Sequence, residues 1–126
     1  MQRPYRLTKN ADFQAVRDFR RSWAHPLVVL AARPNGLAVT RFGFAVGKRL
    51  GNAVVRNRLK RRLREAARRQ QPLIVPGWDL VFIARQPLLV ADFAQIAAAV
   101  EQLLRRAKLL LPEKPAEAAP MPPDVS

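Results

Sequence analysis

A run of cationic side chains between residues 48 and 69 dominates the chemistry that this sequence can perform. The segment reads KRLGNAVVRNRLKRRLREAARR and holds ten of the chain's 23 lysine and arginine residues, but a single acid, Glu65. Most of the cations are arginines, whose guanidinium fork suits paired hydrogen bonds to phosphates. Because a face that serves solubility alone normally mixes both signs of charge, the run predicts a polyanionic partner.

The same segment has the periodicity of a helix, which we expect to begin near Asn52 and to end near Gln70. Gly51 and Asn52 are a favoured start and cap, and Pro72 follows the expected end. At about 100° per residue, the apolar and polar side chains separate onto opposite sides. The apolar stripe consists of Val55, Leu59, Leu63 and Ala66. The opposite side holds Asn57, Lys60, Arg61, Arg64 and Arg68, with Arg56 and Arg62 flanking the stripe.

Composition limits the class of protein further. A chain of 126 residues predicts one domain, and a hydrophobic fraction of 49% is enough for a core. The net charge of +14 points to nucleic acid first and an anionic membrane surface second. There is no cysteine and His25 is the single histidine, which excludes thiolate and histidine metal clusters. No apolar run approaches the ~20 residues of a membrane span, so we expect a cytoplasmic protein that requires neither a membrane nor a protein partner.

The rest of the chain reads as short elements that would position the basic helix. Apolar periodicity and turn signals predict helices over residues 8–20, 52–70 and from residue 92, and strands over residues 27–32, 39–46 and 79–85. The order α-β-β-α-β-α, with space for one more short strand after the first helix, predicts an α/β two-layer sandwich. We expect the second of these strands to run antiparallel to the first, and the basic helix to connect parallel strands.

Caps and composition set the expected boundaries. Thr8 and Asp92 are the expected N-caps of the first and last helices, and Gln95 would complete a capping box with Asp92. We expect one RNA-binding domain over residues 1–111. Residues 112–126 are rich in proline and predict a disordered tail.

The acidic residues show no spacing typical of a metal site or of acid–base catalysis. Asp79 opens a predicted strand, Asp92 is a cap, and Glu65 lies among arginines as an expected ion-pair partner. The sequence also has no nucleophile–histidine–acid pattern and no phosphate-binding loop motif. These absences favour a binding protein over a self-sufficient enzyme.

Arg56, Asn57 and Arg58, set within GKRLGNAVVRNRLKRRLRE, give the sequence a specific resemblance. With these residues the chain resembles the protein subunit of bacterial ribonuclease P. The opening RLTKNADFQAV and the later DLVFIAR are also similar to that family, so the resemblance spans about residues 3–110. It implies a fold like the second domain of ribosomal protein S5, with an unusual left-handed crossover through the basic helix.

The resemblance also implies a function and its residues. The chain would be the accessory subunit of an endoribonuclease that removes the 5′ leader of precursor tRNA. The partner would be a catalytic RNA that carries the chemistry and binds most of the Mg²⁺, with no catalytic residue, metal or other cofactor in the protein. The implied RNA-binding residues are Lys48, Arg49, Arg56, Asn57, Arg58, Lys60, Arg61, Arg64 and Arg68.

A leader cleft between the sheet and the first helix is implied in the same way, formed by Phe13, Arg17 and Phe44. Phe13 matches an aromatic position of the family's cleft, whereas Arg17 and Ala31 stand where the family has aromatic residues. We expect Arg17 to stack its guanidinium plane on a base or to pair with a phosphate.

Two other functions fit parts of the pattern. A non-catalytic RNA-binding protein of ribosomal type would share the basicity and the expected fold. A peripheral membrane protein is less consistent, because the apolar stripe is thin and has no Trp or Phe.

Overall fold

The computed structural model describes residues 5–111, which form one mixed sheet with helices on both of its faces. The expected tail, residues 112–126, lies outside the described residues, as do residues 1–4. The elements are α1 (Asn10–Phe19), β1 (Ser22–Ala24), β2 (Val28–Pro34), β3 (Arg41–Ala45), α2 (Ala53–Gln70), β4 (Trp78–Ala84) and α3 (Phe93–Arg106). This order confirms the predicted succession of helices and strands, including the extra short strand after the first helix.

The four strands lie in the order β1-β2-β4-β3. Strand β2 is antiparallel to both β1 and β4, and β3 is parallel to β4. The direction expected for β3 relative to β2 is therefore right, but the two strands are not neighbours, because β4 lies between them. Strand β4 is apolar on both faces, which favours a central position. The connection from β3 to β4 runs through α2, as predicted, and its left hand stays a prediction.

The main core lies between the sheet and the helices α2 and α3. Leu59 and Leu63 of α2 pack there with Phe42, Phe82 and Leu103, all of them almost fully buried. A smaller cluster covers the opposite face of the sheet, where Val16 of α1 meets the buried side chains of β2 and β4. Within the described residues α2 and α3 share one face, whereas α1 is the only helix on the other and leaves part of it open.

The helix boundaries follow from their caps. The Asn52 side chain accepts a hydrogen bond from the backbone N–H of Val55 at 3.0 Å, so the predicted start of α2 is confirmed. Asp92 and Gln95 form the expected capping box of α3. The prediction for α1 was wrong by one residue, because the N-cap is Lys9 and not Thr8, and its side chain makes no capping hydrogen bond.

Asp79 is fully buried, although the sequence marked it simply as the start of a strand. Its Oδ1 accepts hydrogen bonds from Arg41 Nε and Asn35 Nδ2, each at 2.9 Å, and its Oδ2 accepts one from Arg41 Nη2 at 2.8 Å. Arg33 Nη2 lies 3.4 Å from the same Oδ2. Burial alone would raise the pKa of Asp79, but these hydrogen bonds outweigh it and hold the pKa below its usual value.

Candidate nucleic-acid interface

Helix α2 is attached to the core by one edge. Leu59, Leu63 and Ala66 are buried and Val55 is half-buried, which confirms the predicted stripe. Ala67 is buried as well, so its small side chain adds to the contact between α2 and the core. The helix therefore leaves its outer side, away from the core, available to other molecules.

The side of α2 away from the core presents cations without acidic partners. Asn57, Arg58 and Arg61 are exposed, and within residues 5–111 neither arginine forms an ion pair. Lys48 and Arg49 are also exposed, on the short 3₁₀ turn that precedes α2. We call these exposed positions, on the turn before α2 and on its outer side, the outer basic face.

Arg68 differs from the arginines of the outer basic face, because it forms an ion pair with an acid of its own helix. Its Nε and Nη2 donate to the two carboxylate oxygens of Glu65, at 2.9 and 2.6 Å, and Arg69 Nε lies 3.4 Å from Glu65 Oε2. The hydrogen bond from Arg68 lowers the pKa of Glu65 to about 2. Glu65 is thus an ion-pair partner, as predicted, and Arg68 is half-exposed but already engaged.

Arg56 turns toward the start of the helix. Its side chain is half-buried, and its Nε donates a hydrogen bond to the backbone oxygen of Gly51 at 3.1 Å. A Cβ at Gly51, where φ is 148°, would lie 2.8 Å from the Val55 side chain, so this turn requires glycine. Arg56 therefore helps to fix the turn that carries Lys48 and Arg49.

Lys60 and Arg64 do not lie on the outer basic face, although the sequence placed both there. They occupy the flank of α2 that faces β3 and the chain before α1, where they line a cavity of about 300 Å³. The reason is the position of the helix over β3, an edge strand, which brings this flank against the sheet edge. We call this cavity the edge cavity; it is lined by Arg6, Leu7, Thr8, Phe13, Phe42, Phe44, Lys60 and Arg64.

The guanidinium carbon of Arg64 lies 5.8 Å from the ring centre of Phe44. Burial lowers the pKa of Arg64 from its usual value, and repulsion by Arg6 and Arg61 lowers it further. The group stays charged, because an arginine pKa is far above neutral. The positive charge of Arg64 therefore lies close to other cations, in a partly buried position with reduced access to water.

The three residues predicted for a leader cleft are not all in one place. Phe13 packs on Gly43, where an added Cβ would lie 2.7 Å from the ring, so β3 needs a glycine there. Phe44 is the next residue along the strand and points to the opposite face of the sheet, since side chains alternate. Phe13 and Phe44 meet only at the edge cavity, which both of them line.

Arg17 lines a second cavity, of about 220 Å³, between α1 and the open part of the sheet. Ala31 and Ile83 form part of its apolar floor, and Arg20 and Arg21 join Arg17 at its rim. The prediction that Phe44 shares a cleft with Arg17 was therefore wrong, because the sheet separates them.

Four further residues line the two cavities although the sequence did not predict them there: Arg6, Thr8, Arg20 and Arg21. Arg6 reaches the edge cavity because its backbone forms a parallel bridge with Phe42, a contact between distant parts of the chain. No local pattern identifies such a contact. The signal that was available for Arg20 and Arg21 is their position directly after α1, next to Arg17.

His25 and the acidic side chains are the other polar residues considered for chemistry. Among the described residues, no group of three His, Cys, Asp or Glu side chains could hold a metal ion. His25 Nδ1 accepts a hydrogen bond from the backbone N–H of Leu27 at 3.0 Å, which is a structural role. Between residues 5 and 111, no helix has the length and apolar character needed to cross a membrane.

Comparison with known protein sequences gives a consistent family. The family model described as Ribonuclease P matches residues 1–108. The ribonuclease P protein component of Roseiflexus castenholzii is 51% identical over 108 residues, covering 85% of this chain and 88% of that protein. The corresponding protein of Herpetosiphon aurantiacus is 47% identical over 109 residues, covering 86% of this chain and 89% of that protein.

Solved structures give the same result for the fold. The RNase P protein of Staphylococcus aureus superposes with a TM-score of 0.78 at 37% identity, covering 84% of this chain and 97% of that one. The RNase P protein of Thermotoga maritima gives a TM-score of 0.74 at 33% identity, covering 80% and 96%.

Proposed function

Since this chain belongs to the ribonuclease P protein family and is a protein subunit of ribonuclease P in tRNA processing, we propose that its outer basic face binds the catalytic RNA subunit. The partnership with an RNA subunit follows from the family. The face is the part of the protein whose charge and geometry suit that partner best.

The observation that carries the proposal is the absence of acidic partners for Arg58 and Arg61 within the described chain. Where this helix has a carboxylate, at Glu65, the neighbouring arginines pair with it. Like charges one turn apart on a helix repel by a few tenths of a kcal/mol per pair. RNA phosphates would remove this repulsion and release bound counterions, which favours association at low salt.

We propose further that the RNA subunit, with Mg²⁺ bound mainly by that RNA, carries out the cleavage. The acids of the described chain support this division of labour, because most of them are already engaged within the protein. Asp79 binds Arg41, Glu65 binds Arg68 and Glu101 binds Arg105. Asp92 caps α3. The protein's part is to bind and orient RNA.

The cavity beside α1 is the proposed contact for the 5′ leader of precursor tRNA. Its floor is apolar, its rim carries Arg17, Arg20 and Arg21, and it is open along the sheet. A guanidinium plane can stack on an unpaired base or bind a phosphate. Arg17 would thus replace an aromatic ring in contacting the leader.

A cleavage assay tests the proposal. The purified chain is mixed with in vitro transcribed catalytic RNA and precursor tRNA at low Mg²⁺, and the rate of 5′ leader release is measured. We expect the chain to accelerate release, and the double variant Arg58→Ala/Arg61→Ala to require more protein for the same rate. Lys9→Gln/Lys108→Gln, which removes two positive charges from exposed positions outside α2, is the control and should behave like wild type.

Two results would contradict the proposal. Binding of the RNA without any acceleration would indicate an RNA-binding protein of another kind. Equal losses in the two double variants would mean that net charge, and not the outer basic face, determines binding.

A further inference from the structure

A groove between the loop before β3 and the segment after α2 differs from the edge cavity and from the cavity beside α1. It encloses about 170 Å³, and none of its lining residues is charged. The other two cavities are each lined by three cations, which suits them to anionic ligands. We call this third cavity the neutral groove; it is lined by Tyr5, Ala38, Val39, Thr40, Phe42, Gln71, Ile74 and Pro76.

The size and lining of the neutral groove favour a short apolar segment of protein as its occupant. Its volume is below the range of about 300–1,000 Å³ that is usual for small-molecule sites, and it offers no cation to a phosphate. Tyr5 is half-buried in the lining, and the buried Phe42 and the ring of Pro76 complete an apolar surface. Grooves with aromatic linings receive proline-rich segments in the polyproline II conformation.

The polar groups of the neutral groove suit the same kind of occupant. The Thr40 hydroxyl is already used within the fold, since it donates to a backbone oxygen at 2.7 Å and accepts from a backbone N–H at 3.1 Å. The hydroxyl of Tyr5 and the amide of Gln71 can both donate hydrogen bonds. The carbonyls of a polyproline II segment form no internal hydrogen bonds, so they can accept them.

The end of the described chain lies directly beside one wall of the neutral groove. The last described residues pair antiparallel with the segment after α2. The backbone N–H of Val75 donates to Leu109 O at 2.9 Å, and that of Leu111 donates to Leu73 O at 2.6 Å. Continued in the same direction, the chain after Leu111 runs toward Gln71, a lining residue. Leu73 and Leu111 are both 43% exposed, so apolar surface is uncovered at this end of the protein.

The sequence after Leu111 has the composition that such a groove receives. Residues 112–115 read PEKP, which has the spacing of a PxxP motif, and residues 112–126 hold five of the chain's 11 prolines. Residues 112–126 also carry three acids and one lysine, whereas the whole chain has a net charge of +14. Opposite charge therefore favours contact with the rest of the protein. Because a short tether gives a millimolar effective concentration, a weak contact is sufficient.

We propose that residues 112–115 of this same chain dock in the neutral groove, with Pro112 and Pro115 packed against its apolar lining. The groove is then closed to other molecules, and the disorder that the sequence predicts for the tail begins after Pro115. This contact is independent of the proposed RNA partner, because it requires no cation of the outer basic face.

The first test places a single spin label in the tail, which is possible because the chain has no cysteine. A nitroxide is attached to Ala118→Cys of the whole 126-residue chain, and broadening of the backbone amide signals is measured by NMR. We expect the amides of Val39 and Gln71 to be strongly broadened, since both residues line the groove. Weak broadening at both amides would show that the tail does not occupy the groove and would overturn the proposal.

A matched pair of proline variants shows whether the PxxP segment holds the label there. In the spin-labelled chain, Pro112→Ala/Pro115→Ala should reduce the broadening of the groove amides several-fold. Pro122→Ala/Pro123→Ala, which also removes two prolines from the tail, should leave the broadening unchanged. Equal broadening with and without Pro112 and Pro115 would mean that the label is near the groove simply because the tail is attached nearby. That result would overturn the proposal.

A second pair of variants alters the groove and leaves the tail intact. Ala38 and Leu37 are adjacent and exposed, but Ala38 lines the groove and Leu37 does not. Ala38→Glu places a charge in the apolar lining, so we expect it to remove most of the broadening at Gln71. Leu37→Glu adds the same charge to the same loop and should preserve the broadening. Equal effects of the two variants would overturn the proposal, because the charge of the loop would then explain them.

A mixed sample separates docking within one chain from docking between two copies. Isotope-labelled chain without a nitroxide is mixed with an equal amount of unlabelled chain that carries the nitroxide. We expect no broadening at Val39 or Gln71, because each groove is filled by the tail of its own chain. Broadening in the mixed sample would assign the groove to the tail of a second copy and overturn the proposal.

Discussion

Arg41 and Asp79 face each other across the parallel strands β3 and β4 and form a bidentate ion pair in the protein interior. They are register partners, with Nε–Oδ1 and Nη2–Oδ2 distances of 2.9 and 2.8 Å. The carboxylate is fully buried, while the Arg41 side chain is partly exposed and also lies 3.7 Å from Asp12 of α1. The pair therefore joins β3 to β4. Through Asp12, Arg41 also joins these two strands to α1, which lies on the face of the sheet opposite to α2.

Removing Arg41 should destabilise the protein strongly. In the variant Arg41→Ala, Asp79 keeps its burial but loses its main partner, and breaking a buried pair in this way costs about 3–5 kcal/mol. Urea unfolding of the variant and wild type measures the difference. Arg85→Ala, which alters an exposed arginine that donates to the backbone oxygen of His25, is the control and should cost much less. A loss below 1 kcal/mol for Arg41→Ala would mean that Arg33 and Asn35 satisfy the carboxylate without it.

Acid should weaken the fold through Asp79. Its pKa in the folded protein lies below the usual value, so its contribution to stability is complete above the unfolded-state pKa of about 3.9. That contribution is lost as the pH falls through the lower, folded-state pKa. The free energy of unfolding, measured with urea between pH 6 and about 2, should therefore decrease on acidification, and less steeply in Asp79→Asn. Identical slopes in the two proteins would contradict this assignment.

The stripe of α2 should be sensitive to truncation. Leu59 is fully buried, and Leu59→Ala is expected to lower the free energy of unfolding by about 2–4 kcal/mol through lost burial and a cavity. Val54 is 73% exposed on the same helix, so Val54→Ala is a matched control with little expected effect. Urea unfolding compares the two variants. A similar, small change in both would show that α2 does not dock through Leu59.

The sequence was sufficient for the features of α2 that depend on local periodicity. The stripe, the Asn52 cap and the exposed Asn57 and Arg61 all follow from the spacing of residues within one helix. The directions of Lys60 and Arg64 do not, because they depend on which strand lies beneath that flank. Local patterns cannot show that β4 lies between β2 and β3, and so the edge position of β3 was missed.

The same limit applies to the candidate leader contacts and to Asp79. Phe13 and Phe44 were grouped as aromatic residues near the sheet, but their faces depend on the strand alternation at Gly43 and on the place of α1. Asp79 looked like an ordinary strand start, because its partners Arg41 and Asn35 come from a distant part of the chain. The faces of Phe13 and Phe44 and the partners of Asp79 are both determined by contacts between distant parts of the chain. A single sequence carries little information about such contacts.

Loss of the exposed arginines should weaken RNA binding without unfolding the protein. For Arg58→Ala and Arg61→Ala we expect each substitution to reduce the magnitude of the salt slope for the catalytic RNA by ~0.7 to 0.9. Their melting temperatures should stay close to that of wild type, since both side chains are exposed and unpaired in the described chain. Filter binding over a range of salt concentrations measures the slopes. A large fall in melting temperature would show that these guanidinium groups support the fold.

Arg17 should distinguish precursor tRNA from mature tRNA. It lines the cavity between α1 and the open sheet, on the face opposite to α2, so it lies apart from the proposed contacts with the catalytic RNA. If the 5′ leader crosses this cavity, Arg17→Ala should lower the affinity of the reconstituted complex for precursor tRNA several-fold and leave its affinity for mature tRNA unchanged. Arg58→Ala is the comparison, because it should weaken assembly with the catalytic RNA and so affect both tRNAs alike. Equal losses for the two tRNAs in Arg17→Ala would exclude a contact with the leader.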